Sequence, residues 1–515
     1  MNSPMTQWLS KGSMLLASLL VLAGCSLAPT YNKPAVPDGA GASFKEAPAE
    51  WTQTALKPAE VGTWQTAKPS EELSRGEWWT IFGDDKLNAL EQQALEANQN
   101  LAAAAARLKE ARALNQAARA GLFPTLDAGF GPTRQQVSGA SLRQPDGTTV
   151  PQQTLWRAQA SASYEVDLFG RVASSVDAAK AGMQQSEALF RSMQLALQAD
   201  VAQNYFTLRG LDAEAEVFAN TVNLREQALK LVQRRFDEGD IGELDVARAK
   251  AELATARSDS MSVQRLRAAS EHSLAVLLGK TPAEFSMPAT PIQAVNLRIP
   301  AGLPSSLLER RPDIAAAERA MASANSRIGI AKAAFFPSLT ITGVGGFESA
   351  TLGDLFKWSS RAFLLGPLAG TSLNIPLFDG GRRTANLENA RAAYEEDVAK
   401  YRQQVLTAFR EVEDGLSDLR ILEGQTQTQA EAVQSATRAA DISRTQYTEG
   451  AINFLDVIDA ERTALQTKRA AVQLQSVQAA ATVNLIRALG GGWGDAQAVA
   501  MAEPQKAKDA GAVKQ

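Results

Sequence analysis

Cys25 is the only thiol in this 515-residue chain and His272 the only imidazole. One cysteine cannot close an intrachain disulfide, so the chemistry of Cys25 is sought in modification. An imidazole with no second His or Cys nearby makes a poor metal site. His272 therefore reads as a surface or packing residue on a helix. No His-Glu-x-x-His cluster, phosphate-binding loop or nucleophile elbow occurs, so no enzymatic step, no metal and no other cofactor is expected. The net charge is −4 with acids and bases mixed along the chain, which leaves no basic footprint for nucleic acid.

The position of Cys25 gives it meaning. Lys11 makes a weakly positive start, Met14 to Ala23 form a short apolar run, and Gly24 is small, the pattern of a signal peptide over residues 1–24. About ten apolar residues cannot span a bilayer that needs about twenty. Leu22-Ala23-Gly24-Cys25 resembles the lipobox of bacterial lipoproteins. That resemblance implies cleavage before Cys25 and acylation of its sulfur and of the new N-terminus. Two or more acyl chains anchor a protein stably where one does so marginally. Ser26 follows instead of the aspartate that retains such lipoproteins in the inner membrane, which favours the outer membrane. Residues 25–75, rich in Pro, Ala and Thr, read as a lipidated tether, and residues 491–515 as a disordered tail.

The rest of the chain repeats itself. Gly121-Leu122-Phe123-Pro124-Thr125-Leu126 recurs as Ala334-Phe335-Phe336-Pro337-Ser338-Leu339. Asp167-Leu168-Phe169-Gly170-Arg171 recurs as Pro376-Leu377-Phe378-Asp379-Gly380-Gly381-Arg382. Phe236-Asp237-Glu238-Gly239 with Glu243-Leu244-Asp245-Val246 recurs as Tyr447-Thr448-Glu449-Gly450 with Phe454-Leu455-Asp456-Val457, and Leu278-Gly279 as Leu489-Gly490. An offset of about 210 residues, held in the same order, is too long for a solenoid unit and marks an internal duplication, with repeats over 76–290 and 291–490. Each copy is expected to hold an opening helix, a strand pair and a long helical hairpin. In the first copy these are 87–120, strands near 122–133 and 155–168, and helices 172–236 and 243–278. In the second they are 312–333, strands near 336–348 and 364–377, and helices 383–448 and 454–489.

Val172 to Phe236 contains no proline. A helix of about 65 residues extends roughly 95 Å at 1.5 Å per residue, while an ordinary domain of about 100 residues has a radius of gyration near 13 Å. Such a helix must project or lie among equally long neighbours. Tyr394, Val398, Tyr401, Val405, Ala408 and Val412 step by four and three, a coiled-coil stripe. Phe190, Met193, Leu197, Val201, Leu208, Leu211, Ala215, Phe218 and Val222 form a looser one.

The strands supply a different signal. Trp156, Ala158, Ala160, Ala162, Tyr164, Val166 and Leu168 alternate with Arg157, Gln159, Ser161, Ser163, Glu165 and Asp167. Period two with a wholly polar second face fits a strand between lipid and a water-filled lumen. In the second copy Leu339 and Ile341 alternate with polar neighbours, and Gly343, Gly345 and Gly346 blur the remainder. Four strands cannot close a barrel, and an open edge in lipid leaves backbone groups unsatisfied at several kcal/mol each. Single-chain bacterial barrels start at about eight strands, so at least two copies must associate.

These stretches together resemble the TolC/OprM-like outer-membrane efflux channels, lipoprotein branch. The resemblance runs from Cys25 to Trp493. Its telling residues are Trp78-Trp79-Thr80-Ile81-Phe82, Asn98-Gln99-Asn100-Leu101, Arg310-Arg311-Pro312-Asp313-Ile314, both Phe-Pro strand entries and Leu489-Gly490-Gly491-Gly492-Trp493. It implies a membrane α+β fold: a homotrimer with a 12-stranded β-barrel, four strands per chain, continued by a long α-helical periplasmic barrel. It implies a passive conduit in the outer membrane, in contact with its lipid. The implied partners are a periplasmic adaptor (membrane fusion) protein and an inner-membrane pump of the resistance-nodulation-division type.

The same resemblance places a periplasmic gate at the hairpin turns 237–242 and 449–453, with Gly239 and Gly450 at the tips where an adaptor would contact. Two aspartates that line the family's constriction match Asp456 and Asp459, which share a helix face at i and i+3. Three copies would crowd six carboxylates, which raises some of their pKa values and attracts cations. Read from the residues alone, the same aspartates complement the positive start of a helix with Asn453 as its N-cap. Asp245 and Tyr447 match a family pair that ties the two hairpins together in the closed state. Ile452 departs from relatives that carry an arginine there. Channels for type I protein secretion or metal-ion efflux, and a non-conducting envelope lipoprotein, are the rival readings.

Overall fold

The computed structural model describes residues 27–33, 44–46, 76–292, 310–365 and 370–491. Cys25 with its lipobox, the signal peptide, most of the tether and all of the tail but Gly491 lie outside the described residues. In order, the main elements are α1 (Asp85–Ala97), α2 (Gln99–Ala120), β1 (Thr125–Gln135), β2 (Gln153–Val166), α3 (Arg171–Asp237) and α4 (Glu243–Leu277). The second copy follows as α5 (Pro312–Ala333), β3 (Ser338–Ser349), β4 (Arg361–Leu365), β5 (Thr371–Asn374), α6 (Arg382–Thr448) and α7 (Phe454–Ala488). The long helices α3 and α6 are each 67 residues, and their return helices α4 and α7 each 35.

Two of these elements differ from expectation. The opening helix is broken at Asn98, whose backbone is extended (φ −68°, ψ 124°). Its side-chain oxygen accepts from the Leu101 N–H at 3.0 Å and its amide donates to the Leu277 carbonyl at 2.9 Å. Asn98 thereby caps one helix start and satisfies the end of α4. The fourth strand is split: β4 and β5 both pair with β3, in registers offset by four residues. Residues 366–369 lie between them, outside the described residues.

The chain folds as two compact units. Of the described residues, one takes those up to 35, in 108–186 and in 317–401; the other takes those in 36–107, in 187–316 and from 402 onward. The first holds the antiparallel sheet, in the order β1-β2-β3-β4 with β5 also on β3. Register carries one apolar face across every strand: Phe130 opposes Ala158, which opposes Phe347, and Ala162 stands between Leu126 and Gly343. The glycines of β3 thus continue the face that Ala158, Ala160 and Ala162 begin. Phe363, Leu365 and Leu373 extend it onto β4 and β5, and most of its large side chains stand free, Leu126 77% and Phe363 82% exposed. The opposite face is polar on β2 from Arg157 to Glu165, where Arg157 pairs with Glu348 at 2.6 Å, but Leu155 on β2, Val344 on β3 and Leu364 on β4 interrupt it.

In the second unit, Trp78, Trp79, Leu87, Leu197, Val201, Leu208, Leu274, Val412, Val483 and Ile486 form the main core. Both sequence stripes contribute: Val405, Ala408 and Val412 are buried on α6, and Leu197, Val201, Leu208 and Phe218 on α3, while Met193 stands out. Arg311 of the Arg-Arg-Pro-Asp stretch is buried and gathers Asp313 (2.6 Å), Glu411 (2.6 Å) and the Ala488 carbonyl (3.0 Å). Described pieces of the N-terminal tether dock on the body. Within the first unit Lys33 pairs with Glu318 at 2.9 Å. Within the second, Glu413 accepts from the Lys45 and Glu46 N–H groups and Phe44 is buried.

Candidate functional site

The two hairpin turns have the same backbone. Gly239 (φ 82°) donates to the Phe236 carbonyl at 2.9 Å and Asp240 to Arg235 at 2.8 Å. Gly450 (φ 78°) donates to Tyr447 at 3.0 Å and Ala451 to Gln446 at 2.8 Å. Both helices end on a left-handed glycine that satisfies their last carbonyls, which only glycine adopts without strain. Gly242 and Asn453 then open the return helices.

Beneath the turns the two copies share one small core. Val232, Val246 and Ala249 from the first copy pack with Tyr447, Phe454, Val457 and Ile458 from the second. Ile241 and Ile452 lie partly buried against this cluster. The departure at Ile452 therefore has a physical account: the position contributes apolar packing to the shared core.

The charges above that core differ between the copies. Asp456 is exposed, and its carboxylate accepts from the Asn453 N–H at 3.2 Å, so it does cap its helix. Asp459 is exposed on the same helix and acts through space on Arg462. Asp245, at the position equivalent to Asp456, pairs with Arg248 at 3.3 Å. Tyr447 is buried, and burial pushes its hydroxyl above the usual phenol range, with Arg235 opposing and Asp245 adding to the shift. The hydroxyl makes no hydrogen bond of good geometry. Asp245 and Tyr447 are thus near neighbours without a direct bond. His272 is exposed on α4.

Other residues tie the hairpins together. Arg235 of α3 lies over the Tyr447 ring, 4.9 Å from its centroid, and donates to the Tyr447 carbonyl at 3.1 Å. Glu252 of α4 sits between buried Arg225 of α3 (3.0 Å) and Arg462 of α7 (3.1 Å). Farther along, Arg469 of α7 pairs with buried Glu214 of α3 at 2.8 Å. Sequence reasoning missed these residues. Their partners stand far apart in the chain, and no periodic pattern marks them.

Among the described residues no group of His, Cys, Asp and Glu could hold a metal ion, and no helix is long and apolar enough to cross a membrane. Comparison with known proteins gives a consistent picture. A family model described as outer membrane efflux protein matches residues 90–280 and again 303–491. A toluene efflux pump outer membrane protein, TtgC of Pseudomonas putida, is 34% identical over 481 residues, covering 93% of this chain and 95% of its own length. The cation efflux system protein CusC of Escherichia coli is 31% identical over 92% of this chain and 97% of its own. Among solved structures, the outer-membrane channel OprN superposes with a TM-score of 0.79 at 30% identity, over 91% of this chain and 100% of that one.

Proposed function

We infer the working role from one premise: this chain belongs to the outer membrane efflux protein family. It is an outer-membrane channel protein of efflux, spanning that membrane and reaching into the periplasm. Beyond that, three copies close their four-stranded sheets into one twelve-stranded barrel. The observation that carries this reading is the open sheet of the first unit, apolar on one face and bounded by β1 at one edge and by β4 with β5 at the other. In lipid such edges must be paired, and identical copies supply the missing strands.

The channel is a passive conduit for drugs or other small toxic compounds, with no catalytic step of its own. A periplasmic adaptor contacts the turns at Gly239 and Gly450, and an inner-membrane pump of the resistance-nodulation-division type supplies the energy. Asp456 and Asp459 form the charged part of the periplasmic gate, with Asp245 and Tyr447 beside them. Residues 1–24 are removed and Cys25 carries the lipid, ahead of the tether to residue 75, the repeats 76–290 and 291–490, and the tail 491–515. The relatives' names differ in cargo, toluene in one and cations in another, so a metal-ion cargo is the second reading.

The test is single-channel conductance and particle mass of the purified protein, with drug and metal susceptibility of a deletion strain. Trimers that conduct, and a strain sensitised to organic compounds, are expected. A non-conducting monomer would overturn the channel, and sensitisation to metal ions alone would overturn the cargo. Cys25→Ser is expected to abolish incorporation of labelled palmitate.

A further inference from the structure

The apolar face of the sheet carries no charge over its middle. On the strand positions of that face, from Leu126 to Pro132, Trp156 to Val166, Leu339 to Phe347, Phe363 to Leu365 and Thr371 to Leu373, every residue is apolar, small, Tyr or Thr. Two cations end it. Arg134 lies two positions beyond Pro132 on β1, opposite Thr154. Arg361 begins β4 opposite Phe347, with Phe363 and Leu365 following on the same face. Both stand at the strand ends joined by the hairpin loops, the ends away from α2, α3, α5 and α6.

A cation on a lipid-facing row is costly at the bilayer midplane and nearly free at the interface, so these two mark a rim. Aromatic side chains agree: Trp358 is 75% and Phe356 69% exposed there. Such rings belong at the headgroup level. The Arg361 guanidinium lies over the Trp358 ring and uses Nε on the Trp358 carbonyl at 2.8 Å. Arg134 uses Nε on the Gln152 side chain at 3.3 Å. Neither is in an ion pair among the described residues. The other charges of this end are largely spent: Arg157 is held by Glu348 at 2.6 Å and Lys357 by Asp354 at 2.5 Å. Arg134, Arg143 and Arg361 remain against the lone carboxylate Asp146.

Guanidinium groups match phosphate oxygens in a planar fork. The edge strands β1 and β4 each carry one of the two arginines, so closing the barrel with further copies brings cations from neighbouring chains to each seam. Like charges gathered at a seam call for an anion. The strand ends in question face the outer leaflet, because the helices leave from the opposite ends toward the periplasm. The phosphates of that leaflet belong to its glycolipid.

We propose that Arg134 and Arg361 form a rim that binds the phosphate groups of the outer-leaflet glycolipid against exposed Trp358 and Phe363. This rests on the reading of the chain as a barrel closed by copies of itself in the outer membrane.

The test uses the full mature lipoprotein in phosphatidylethanolamine vesicles that contain bisphosphorylated lipid A, its dephosphorylated form or phosphatidylglycerol. The protein is repurified and its bound lipid measured by mass spectrometry. Wild type is expected to retain bisphosphorylated lipid A. Arg134→Gln with Arg361→Gln is expected to retain about 30-fold less, on the scale of one basic side chain at an anionic surface taken twice. Arg134→Lys with Arg361→Lys should keep most of the retention. Conductance in plain phosphatidylethanolamine bilayers reports separately on barrel assembly, and both variants should conduct as wild type does. Equal retention by the Gln variant, or of the dephosphorylated lipid, would overturn the rim. Equal retention of phosphatidylglycerol would assign the arginines to phospholipid and overturn the glycolipid. A wild type that neither trimerises nor conducts would bring down the barrel reading, and the rim with it.

Discussion

The two hairpin turns share a backbone and differ in charge. At the first, Asp245 is neutralised by Arg248 three residues later. At the second, the equivalent positions are Asp456 and Asp459, both carboxylates and both exposed. Below them the copies merge into one apolar cluster, to which they contribute unequally. Duplication kept the glycine turn and the packed valines Val246 and Val457, and changed both what faces solvent and part of what packs: buried Phe454 and Tyr447 stand where the first copy has exposed Glu243 and Phe236. At this pair of positions the net negative charge comes from the second copy alone.

Removing that charge is the strongest way to break the comparison. Asp456→Ala with Asp459→Ala is expected to raise single-channel conductance and to lower cation preference by about fivefold per carboxylate, taking roughly 1 kcal/mol for each close charge in water. Planar-bilayer reversal potentials measure it. An unchanged reversal potential would mean that the tip does not limit ion passage. Asp456 also caps its helix, so Asp456→Asn is the control that keeps a capping side chain and loses the charge.

Next in size is the tie between the copies. Arg235→Ala removes a cation over the Tyr447 ring and a hydrogen bond to its carbonyl, together worth about 1–2 kcal/mol. Faster amide exchange over 447–454, with α1 unaffected, is the expected readout. Uniform exchange along the chain would show that Arg235 supports the whole unit instead of the tip. Arg248→Ala comes third. It frees Asp245 and makes the first tip resemble the second, with cation preference rising about twofold, since an exposed pair is worth about 0.2–1 kcal/mol. A fall in cation preference would show that Asp245 points away from the ion path.

Most of the tip's backbone was legible in the sequence and most of its ties were not. Gly239 and Gly450 announce themselves because a helix that stops without proline needs a left-handed residue. The duplication announces the hairpins, since the Phe-Pro entries and the Gly turns recur at one offset. Helix bounds follow from long runs free of proline, and α3, α4, α6 and α7 lie within one residue of expectation at each end. Asn98 escaped because one asparagine in an alanine-rich run costs little helix propensity; the break depends on the Leu277 carbonyl, 179 residues away. Glu252 and Arg462 escaped for the same reason, being 210 residues apart and not equivalent in the two copies. Local signals show where a chain turns, while the choice of partner across helices belongs to packing.

Tyr447→Phe should have the smallest effect. A tyrosine beside an aspartate at a hairpin junction invites the reading that the hydroxyl bonds the carboxylate and closes the tip. Here Asp245 is taken by Arg248 and the hydroxyl is buried without a well-formed hydrogen bond, so removing it also removes a desolvation cost. The variant is expected to lie within about 0.5 kcal/mol of wild type or slightly above it in stability, whereas Tyr447→Ala empties the shared core and costs about 3–5 kcal/mol. The pH dependence separates the cases further. Burial raises the phenol above its ordinary value of 10.0, so the folded state holds this proton more tightly than the unfolded one. Below that pH the hydroxyl is neutral in both states and the two proteins should run parallel. Above it wild type should lose stability relative to Tyr447→Phe, because unfolding releases the proton. Thermal unfolding across pH 7 to 11 measures both limbs. If Tyr447→Phe instead raised conductance at neutral pH as far as Asp456→Ala with Asp459→Ala is expected to, the hydroxyl would be holding a bond across the two copies that their apolar cluster alone does not supply.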